Sequence, residues 1–157
     1  MKSTFSIISE DSPGVLMRIA SLIYRRGFNI ESLSVARTDV PGLSRFTVII
    51  EGEDGVYDQI RKQLLKLVEV IEVRNLTKDG PFVERYLSLV KVLAPLDKRP
   101  HVLQTAEIFR CRVVDIGLDT ITLEVTGDHG KLRACMEALK PYGILETAGS
   151  GQVSLSR

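Results

Sequence analysis

The chain has 157 residues, of which 44% are hydrophobic and 26% are charged, which is enough for one ordinary domain or two small ones. Its 21 basic and 20 acidic residues give a net charge of +1, and this balance argues against nucleic acid as the main partner. No run of about 18 apolar residues and no secretory signal pattern is present. We therefore expect no membrane partner and a cytoplasmic protein, or a plastid one after removal of a transit peptide.

The first predicted strand, residues 4–7, alternates polar and apolar side chains and leads into a turn. Apolar residues then recur at helical spacing over 15–23. Asp11 or Ser12 is predicted to cap this helix, with Pro13 as its first residue.

The turn and the segment after the helix together suggest a site for a small zwitterion. Gly14 has no side chain, so we expect the N–H groups of Gly14, Val15 and Leu16 to be open to a carboxylate or phosphate. Gly27 is predicted to end the helix in a left-handed conformation, and Asn29 follows with an amide that can donate and accept. The alternative is an ordinary helix start that binds nothing.

The rest of the first half continues the alternation of strands and helices. A hairpin is predicted around the turn at 39–42, followed by an amphipathic helix and a β-branched strand. The expected order is β-α-β-β-α-β, a ferredoxin-like unit with two helices on one face of a four-stranded antiparallel sheet. The predicted elements after residue 28 are strands at 29–38, 45–52 and 68–76 and a helix at 56–66.

The second half repeats this order after a polar stretch that contains Gly-Pro. The fold class is therefore predicted as α+β, with two ferredoxin-like βαββαβ domains in tandem: residues 1–77, a linker at 78–81, and residues 82–157. Each unit leaves one sheet face without helices, so we expect at least a dimer. The predicted elements are strands at 84–94, 111–116, 120–126 and 144–147, a short edge at 153–155, and helices at 100–110, with Val102, Leu103, Ala106 and Phe109 inward, and 131–140.

The residues that most often carry catalysis or bind metals are few. Cys111 and Cys135 are the only cysteines, lie in apolar contexts without ligand spacing, and are predicted to be core thiols. His101 and His129 are the only histidines and show no arrangement of nucleophile and base. We expect no catalytic residue, no metal site and no cofactor in this chain.

Two segments carry a resemblance to a known family: Asp-Ser-Pro-Gly-Val-Leu at 11–16 and Arg-Arg-Gly-Phe-Asn-Ile-Glu-Ser-Leu at 25–33. Further similar segments follow in order, so that the likeness covers nearly the whole chain. With them the chain resembles the small regulatory subunit of acetohydroxyacid synthase, also called acetolactate synthase, whose first domain is an ACT domain. The further segments are 43–47, 59–68, 83–85, 89–92 and 107–110.

The resemblance implies a non-catalytic, allosteric role in branched-chain amino acid biosynthesis. In this family a separate catalytic large subunit uses thiamine diphosphate, FAD and magnesium to join pyruvate to pyruvate or 2-ketobutyrate. The small subunit raises that activity and confers feedback inhibition, usually by valine.

The resemblance also implies where the effector lies, since in this family it binds where two ACT domains meet in a homodimer. The N–H groups of the turn and the side chain of Asn29 from the facing subunit would surround the amino acid. Asp11 could attract the ammonium group or merely cap the helix. Leu16, Ile30 and Val35 would form an apolar pocket, although core packing explains these residues equally well. The predicted effector-binding residues are Asp11, Gly14, Val15, Leu16, Asn29 and Ile30.

Two other classes of function would require further sequence features. An amino-acid sensor acting in transcription would need a helix-turn-helix or a strongly basic face. A small enzyme on the same scaffold would need a set of catalytic residues. The only candidates for such a set are His101, His129 and Asp115.

Overall fold

The first half of the chain folds in the predicted order of elements in the computed structural model, which describes residues 1–53 and 55–157. Its sheet has the strand order β2-β3-β1-β4, and every neighbouring pair is antiparallel. This is the predicted ferredoxin-like arrangement. The elements are β1 (Lys2–Glu10), α1 (Val15–Arg25), β2 (Asn29–Arg37), β3 (Leu43–Glu51), α2 (Val56–Leu64) and β4 (Val70–Asn75).

Both helices of this unit pack on the same face of the sheet. Alternate residues of the central strands β1 and β3, such as Phe5, Ile7 and Val48, are fully buried against them. The helices contribute Ile19 and Ile60, which recur on their apolar sides. The core therefore lies between the sheet and the two helices, as the two periodicities predict.

The second half repeats this fold around a separate core. Its sheet has the order β6-β7-β5-β8, and β9 pairs with β5. The structure thus confirms the predicted fold class of two ferredoxin-like units. The elements are α3 (Leu76–Asp79), β5 (Phe82–Leu93), α4 (Arg99–Ile108), β6 (Arg112–Ile116), β7 (Thr120–Gly127), α5 (His129–Leu139), a 3-10 turn (Lys140–Tyr142), β8 (Ile144–Gly149) and β9 (Val153–Ser156).

The segment between the halves differs from the predicted strand end and linker. The predicted strand 68–76 begins only at Val70, and Leu76 is the buried first residue of α3. The Asn75 side chain caps α3, and the Thr77 hydroxyl accepts from the Thr4 N–H at 2.9 Å. The predicted linker 78–81 therefore begins inside a helical turn that is docked on β1.

The predicted inward face of α4 is correct only in part. Val102 and Ala106 are buried in the second core, and Phe109 packs against it. Leu103 is 37% exposed, because the buried residues of this short helix lie one turn apart on a narrow stripe.

The C-terminal segment, Gly151–Arg157, folds with the first half of the chain. The compact units are Met1–Val83 with Gly151–Arg157, and Glu84–Ser150, whereas the predicted second domain ran from 82 to 157. The N–H of Gln152 donates to the Ser32 hydroxyl at 2.8 Å, and its buried side chain donates to Ser154 at 2.6 Å. The segment therefore covers part of the helix-free face of the first sheet, which carries Ser32 and Thr4.

The helix-free face of the second sheet carries apolar side chains. Leu87, Leu89 and Leu93 alternate with the buried core residues of β5 and are each 38–39% exposed. Among the described residues, no helix combines the length and apolar character needed to cross a membrane.

Candidate functional site

The turn between β1 and α1 presents an open helix N-terminus. Gly14 is the N-cap residue, with φ +85°, and no side chain caps the helix. Its carbonyl accepts from the Arg18 N–H at 3.1 Å, which is the first bond of the helix. Within the described chain, the N–H groups of Val15 and Leu16 have no acceptor. Four such N–H groups lack partners in any helix, so this end of α1 attracts anions.

The predicted capping of this helix is wrong. The helix begins at Val15 rather than Pro13, and neither Asp11 nor Ser12 caps it. The Asp11 carboxylate instead pairs with Arg37 at 2.7 Å and accepts from the Ser44 hydroxyl at 3.3 Å.

Asp11 thereby ties the turn to the β2–β3 hairpin. Its N–H also donates to the carbonyl of Gly42 at 2.8 Å, at the tip of that hairpin. A carboxylate already paired with Arg37 attracts an ammonium group less strongly than a free one. The contacts observed for Asp11 position the turn.

The segment after α1 places Asn29 at the first position of β2. Gly27 has φ +76°, and its N–H donates to Tyr24 at 2.9 Å, which ends the helix as predicted. The Phe28 ring lies so close to Gly52 that a Cβ there would be 2.5 Å from it. This packing fixes the start of the strand, while the Asn29 side chain stays exposed.

The predicted apolar residues of the site are only partly buried in this single chain. Val15 is 3% exposed and belongs to the core, whereas Leu16 is 45% and Val35 43% exposed. Ile30 is half-buried against the first core. Leu16 and Val35 therefore present apolar surface outside the core.

A groove that the sequence did not indicate lies beside the β2–β3 hairpin. It has a volume of about 600 Å³ and includes Val35, but not Gly14, Leu16 or Asn29. Arg45 lines it and donates to the Ser6 hydroxyl at 2.7 Å. The C-terminal segment forms one wall of the groove. The groove therefore brings together positions that are too far apart in sequence for a local pattern to reveal.

The structure also brings the two cysteines together. The sulfur atoms of Cys111 and Cys135 are 3.6 Å apart in the second unit. Cys135 is fully buried, as predicted for a core thiol, and Cys111 is half-buried. No group of three or more potential metal ligands occurs in the part of the chain that is described.

Fold and site define an α+β protein of two ferredoxin-like units, the first with an open helix N-terminus. A family model described as "AHAS small subunit-like ACT domain" matches residues 5–72, and one described as "Small subunit of acetolactate synthase" matches residues 85–157.

Individual relatives give the same result over the whole length. The chain is 46% identical to the probable acetolactate synthase small subunit of Archaeoglobus fulgidus, covering 100% of this chain and 98% of that one. It is also 46% identical to the acetolactate synthase small subunit of Mycobacterium bovis, over 98% of this chain and 91% of that one. The crystal structure of the small subunit from Thermotoga maritima aligns with a TM-score of 0.91 at 35% identity, covering 100% and 98%. The chain therefore belongs to the family of acetolactate synthase small subunits, and its first unit is an ACT domain.

Proposed function

We propose that the chain is a regulatory subunit that binds the catalytic large subunit of acetolactate synthase and raises its activity. In this proposal it also confers feedback inhibition by a branched-chain amino acid, with valine as the first candidate. Membership of the small-subunit family over the full length supports the partner. Thiamine diphosphate, FAD and magnesium belong, in this proposal, to the catalytic subunit alone.

The observation that carries the effector site is the open N-terminus of α1. The N–H groups of Val15 and Leu16 suit the α-carboxylate of an amino acid, because they point out of the positive end of the helix. Gly14 leaves the approach clear, since no atom lies within 4 Å of the position of a Cβ.

Asn29 would complete the site from a second copy of the chain. Its exposed amide can donate to the carboxylate and accept from the ammonium group. Strand β2 lies at the edge of the first sheet, where a second ACT domain can approach. The exposed Leu16 and Val35 would become buried on dimerisation and supply an apolar environment for a branched side chain.

Such a pocket separates similar effectors only weakly. One methyl group more or less in an apolar pocket changes binding by about 1–3 kcal/mol. We therefore expect valine, leucine and isoleucine all to bind, with affinities that differ by about 10- to 200-fold at most.

Calorimetric titration of the full chain with these three amino acids tests the proposal. Asn29→Ala should abolish the heat of binding. The matched control is Glu31→Ala, which removes an exposed side chain of the same strand, paired with Lys2, and should leave binding unchanged. Equal binding by the wild type and Asn29→Ala would contradict the site.

A titration with the catalytic subunit present separates two further cases. Binding only in the assembled complex would mean that the site needs the partner. No binding in either form, with activity still raised by the chain, would contradict the feedback part of the proposal and leave the activating part.

A further inference from the structure

Two thiols from separate elements meet in the second unit. Cys111 and Cys135 are the only cysteines of the chain, and their sulfur atoms lie 3.6 Å apart. A disulfide has a sulfur–sulfur distance of about 2.05 Å, so the two atoms need to approach by roughly 1.5 Å.

Each sulfur is held in place by its own element. Cys111 lies just beyond the end of α4 and is preceded by Arg110, which has φ +54°. The Cys111 N–H donates to the carbonyl of Ala106 at 2.9 Å. Cys135 lies on α5 and is fully buried in the second core. The contact is therefore a fixed feature of the folded unit.

The two thiols differ in how easily a reagent can reach them. Cys111 is half-buried, between the end of α4 and the exposed edge strand β6, whereas Cys135 has no accessible surface. A small disulfide can therefore meet Cys111 first. The buried Cys135 sulfur is in contact with the sulfur of Cys111.

The pKa directions of the two thiols also favour Cys111 as the first to react. The pKa of Cys111 is lowered, mainly because of its side-chain hydrogen bond with Cys135 and also because Lys131 is positively charged nearby. The pKa of Cys135 is raised, mainly because of the same hydrogen bond with Cys111 and also because the thiol is buried. Cys111 is thus the better nucleophile, since the thiolate is the reactive form.

We propose that Cys111 and Cys135 form a redox-modifiable pair, which converts into an internal disulfide by exchange with a small-molecule disulfide such as oxidised glutathione. The Cys111 thiolate attacks one sulfur of glutathione disulfide, and the first glutathione leaves. The sulfur of Cys135 then attacks that of Cys111, and the second glutathione leaves. Two cysteine thiols are oxidised, one glutathione disulfide is reduced to two thiols, and these carry the two protons.

The disulfide would strengthen the second unit. It closes a loop of roughly 25 residues that contains the β6–β7 hairpin and the first part of α5, so it removes conformational freedom from the unfolded chain. We expect the oxidised chain to unfold at a temperature several degrees above that of the reduced chain.

Incubation of the reduced full chain in a glutathione buffer rich in the oxidised form, followed by mass spectrometry, tests the pair. The wild type should lose two hydrogens and yield one crosslinked peptide containing both cysteines. A chain that stays reduced, a stable glutathione adduct, or disulfide-linked dimers would each overturn the proposal.

Two variants test the order of events. Cys135→Ala keeps a small apolar group in the core and should accumulate a glutathione adduct on Cys111. Cys111→Ser should remain unmodified, because Cys135 is inaccessible. An adduct on Cys135 in Cys111→Ser, or none on Cys111 in Cys135→Ala, would contradict the assignment.

A measurement on the wild type makes the test independent of how the variants fold. A limited dose of iodoacetamide should alkylate Cys111 well before Cys135 in the reduced native chain, and both equally in denaturant. Equal labelling of the two in the native chain, with circular dichroism showing that it is folded, would overturn the proposed order.

Discussion

At the scale of single residues, the candidate effector site depends on Gly14. Its φ of +85° places it in the left-handed region, where an L-residue with a side chain costs roughly 1–2 kcal/mol. No atom lies within 4 Å of the position of its Cβ, so a substitution there strains the backbone without causing a clash. A side chain at this position would therefore act mainly on whatever approaches the helix from outside.

This separation of strain from contact makes a charge test possible at Gly14. Gly14→Asp puts a negative charge where the proposed carboxylate lies, and Gly14→Asn adds a side chain of the same size without charge. Both should lower the free energy of unfolding by a similar amount, about 1–2 kcal/mol. By calorimetry, Gly14→Asp should weaken effector binding at least tenfold more than Gly14→Asn does. This factor corresponds to a difference of about 1.4 kcal/mol or more in binding free energy.

The outcomes of that pair discriminate between two explanations. Equal weakening by both variants would point to shape or backbone strain rather than charge. Unchanged binding in Gly14→Asp would show that the effector does not use this helix N-terminus.

The glycine positions at the two ends of α1 were predictable from the sequence, whereas the role of Asp11 was not. Local pattern is sufficient for a glycine before a helix, and the glycine at the end of α1 was predicted for the same reason. Asp11 was predicted as a cap because nothing local shows that Arg37 and Ser44 lie within reach of its carboxylate. The ion pair depends on the β2–β3 hairpin folding over the turn.

At the scale of elements, the C-terminal segment shows where prediction from pattern ends. A short edge strand was predicted near residues 153–155, and β9 forms there. The unit to which this segment belongs was not predictable, because Gln152 donates to Ser32 on β2 and to Thr4 on β1, both more than a hundred positions earlier. Alternating hydroxyl residues indicate a strand face, but they do not say which segment will cover it.

Gly151 allows this docking to be tested. A Cβ at Gly151 would be 2.5 Å from the Leu33 carbonyl oxygen and 2.6 Å from the Ser34 hydroxyl, so the segment could not keep its position. Gly151→Ala should lower the free energy of unfolding by about 1–3 kcal/mol, measured by urea denaturation, and should expose the Gln152 N–H to hydrogen exchange.

The nearby Gly149 supplies the matched control for that substitution. A Cβ there would have its closest neighbour at 3.9 Å, which is an ordinary contact, so Gly149→Ala should change the stability far less. Comparable losses in the two variants would mean that the close approach at Gly151 does not determine docking.

At the scale of the whole molecule, the order of elements was the most predictable feature. Both halves show the order β-α-β-β-α-β. This order was predictable because apolar side chains recur every 2 residues in strands and every 3.6 residues in helices, and both patterns are local in the sequence. The boundaries near α3 and the meeting of Cys111 with Cys135 were missed, because each depends on contacts between distant elements.

The proposed regulation also makes a prediction for the assembly with the catalytic subunit. An effector can inhibit only if it binds the less active state more tightly, and such coupling is typically about 1–3 kcal/mol, or 5- to 150-fold. Linkage makes this factor reciprocal. If valine weakens binding of the catalytic subunit by some factor, the catalytic subunit must weaken valine binding by the same factor; if valine leaves subunit affinity unchanged, its own affinity must also be unchanged by assembly.

Two titrations measure this coupling from both sides. Calorimetry gives valine affinity with and without the catalytic subunit, and activation curves give subunit affinity with and without valine. In the same assays, Gly14→Asp should still activate the catalytic subunit but lose inhibition, because the charge blocks the effector and leaves the remaining surface unchanged. A variant that lost activation and inhibition together while remaining folded would place the turn at the subunit contact, and the effector site would then have to lie elsewhere on the chain.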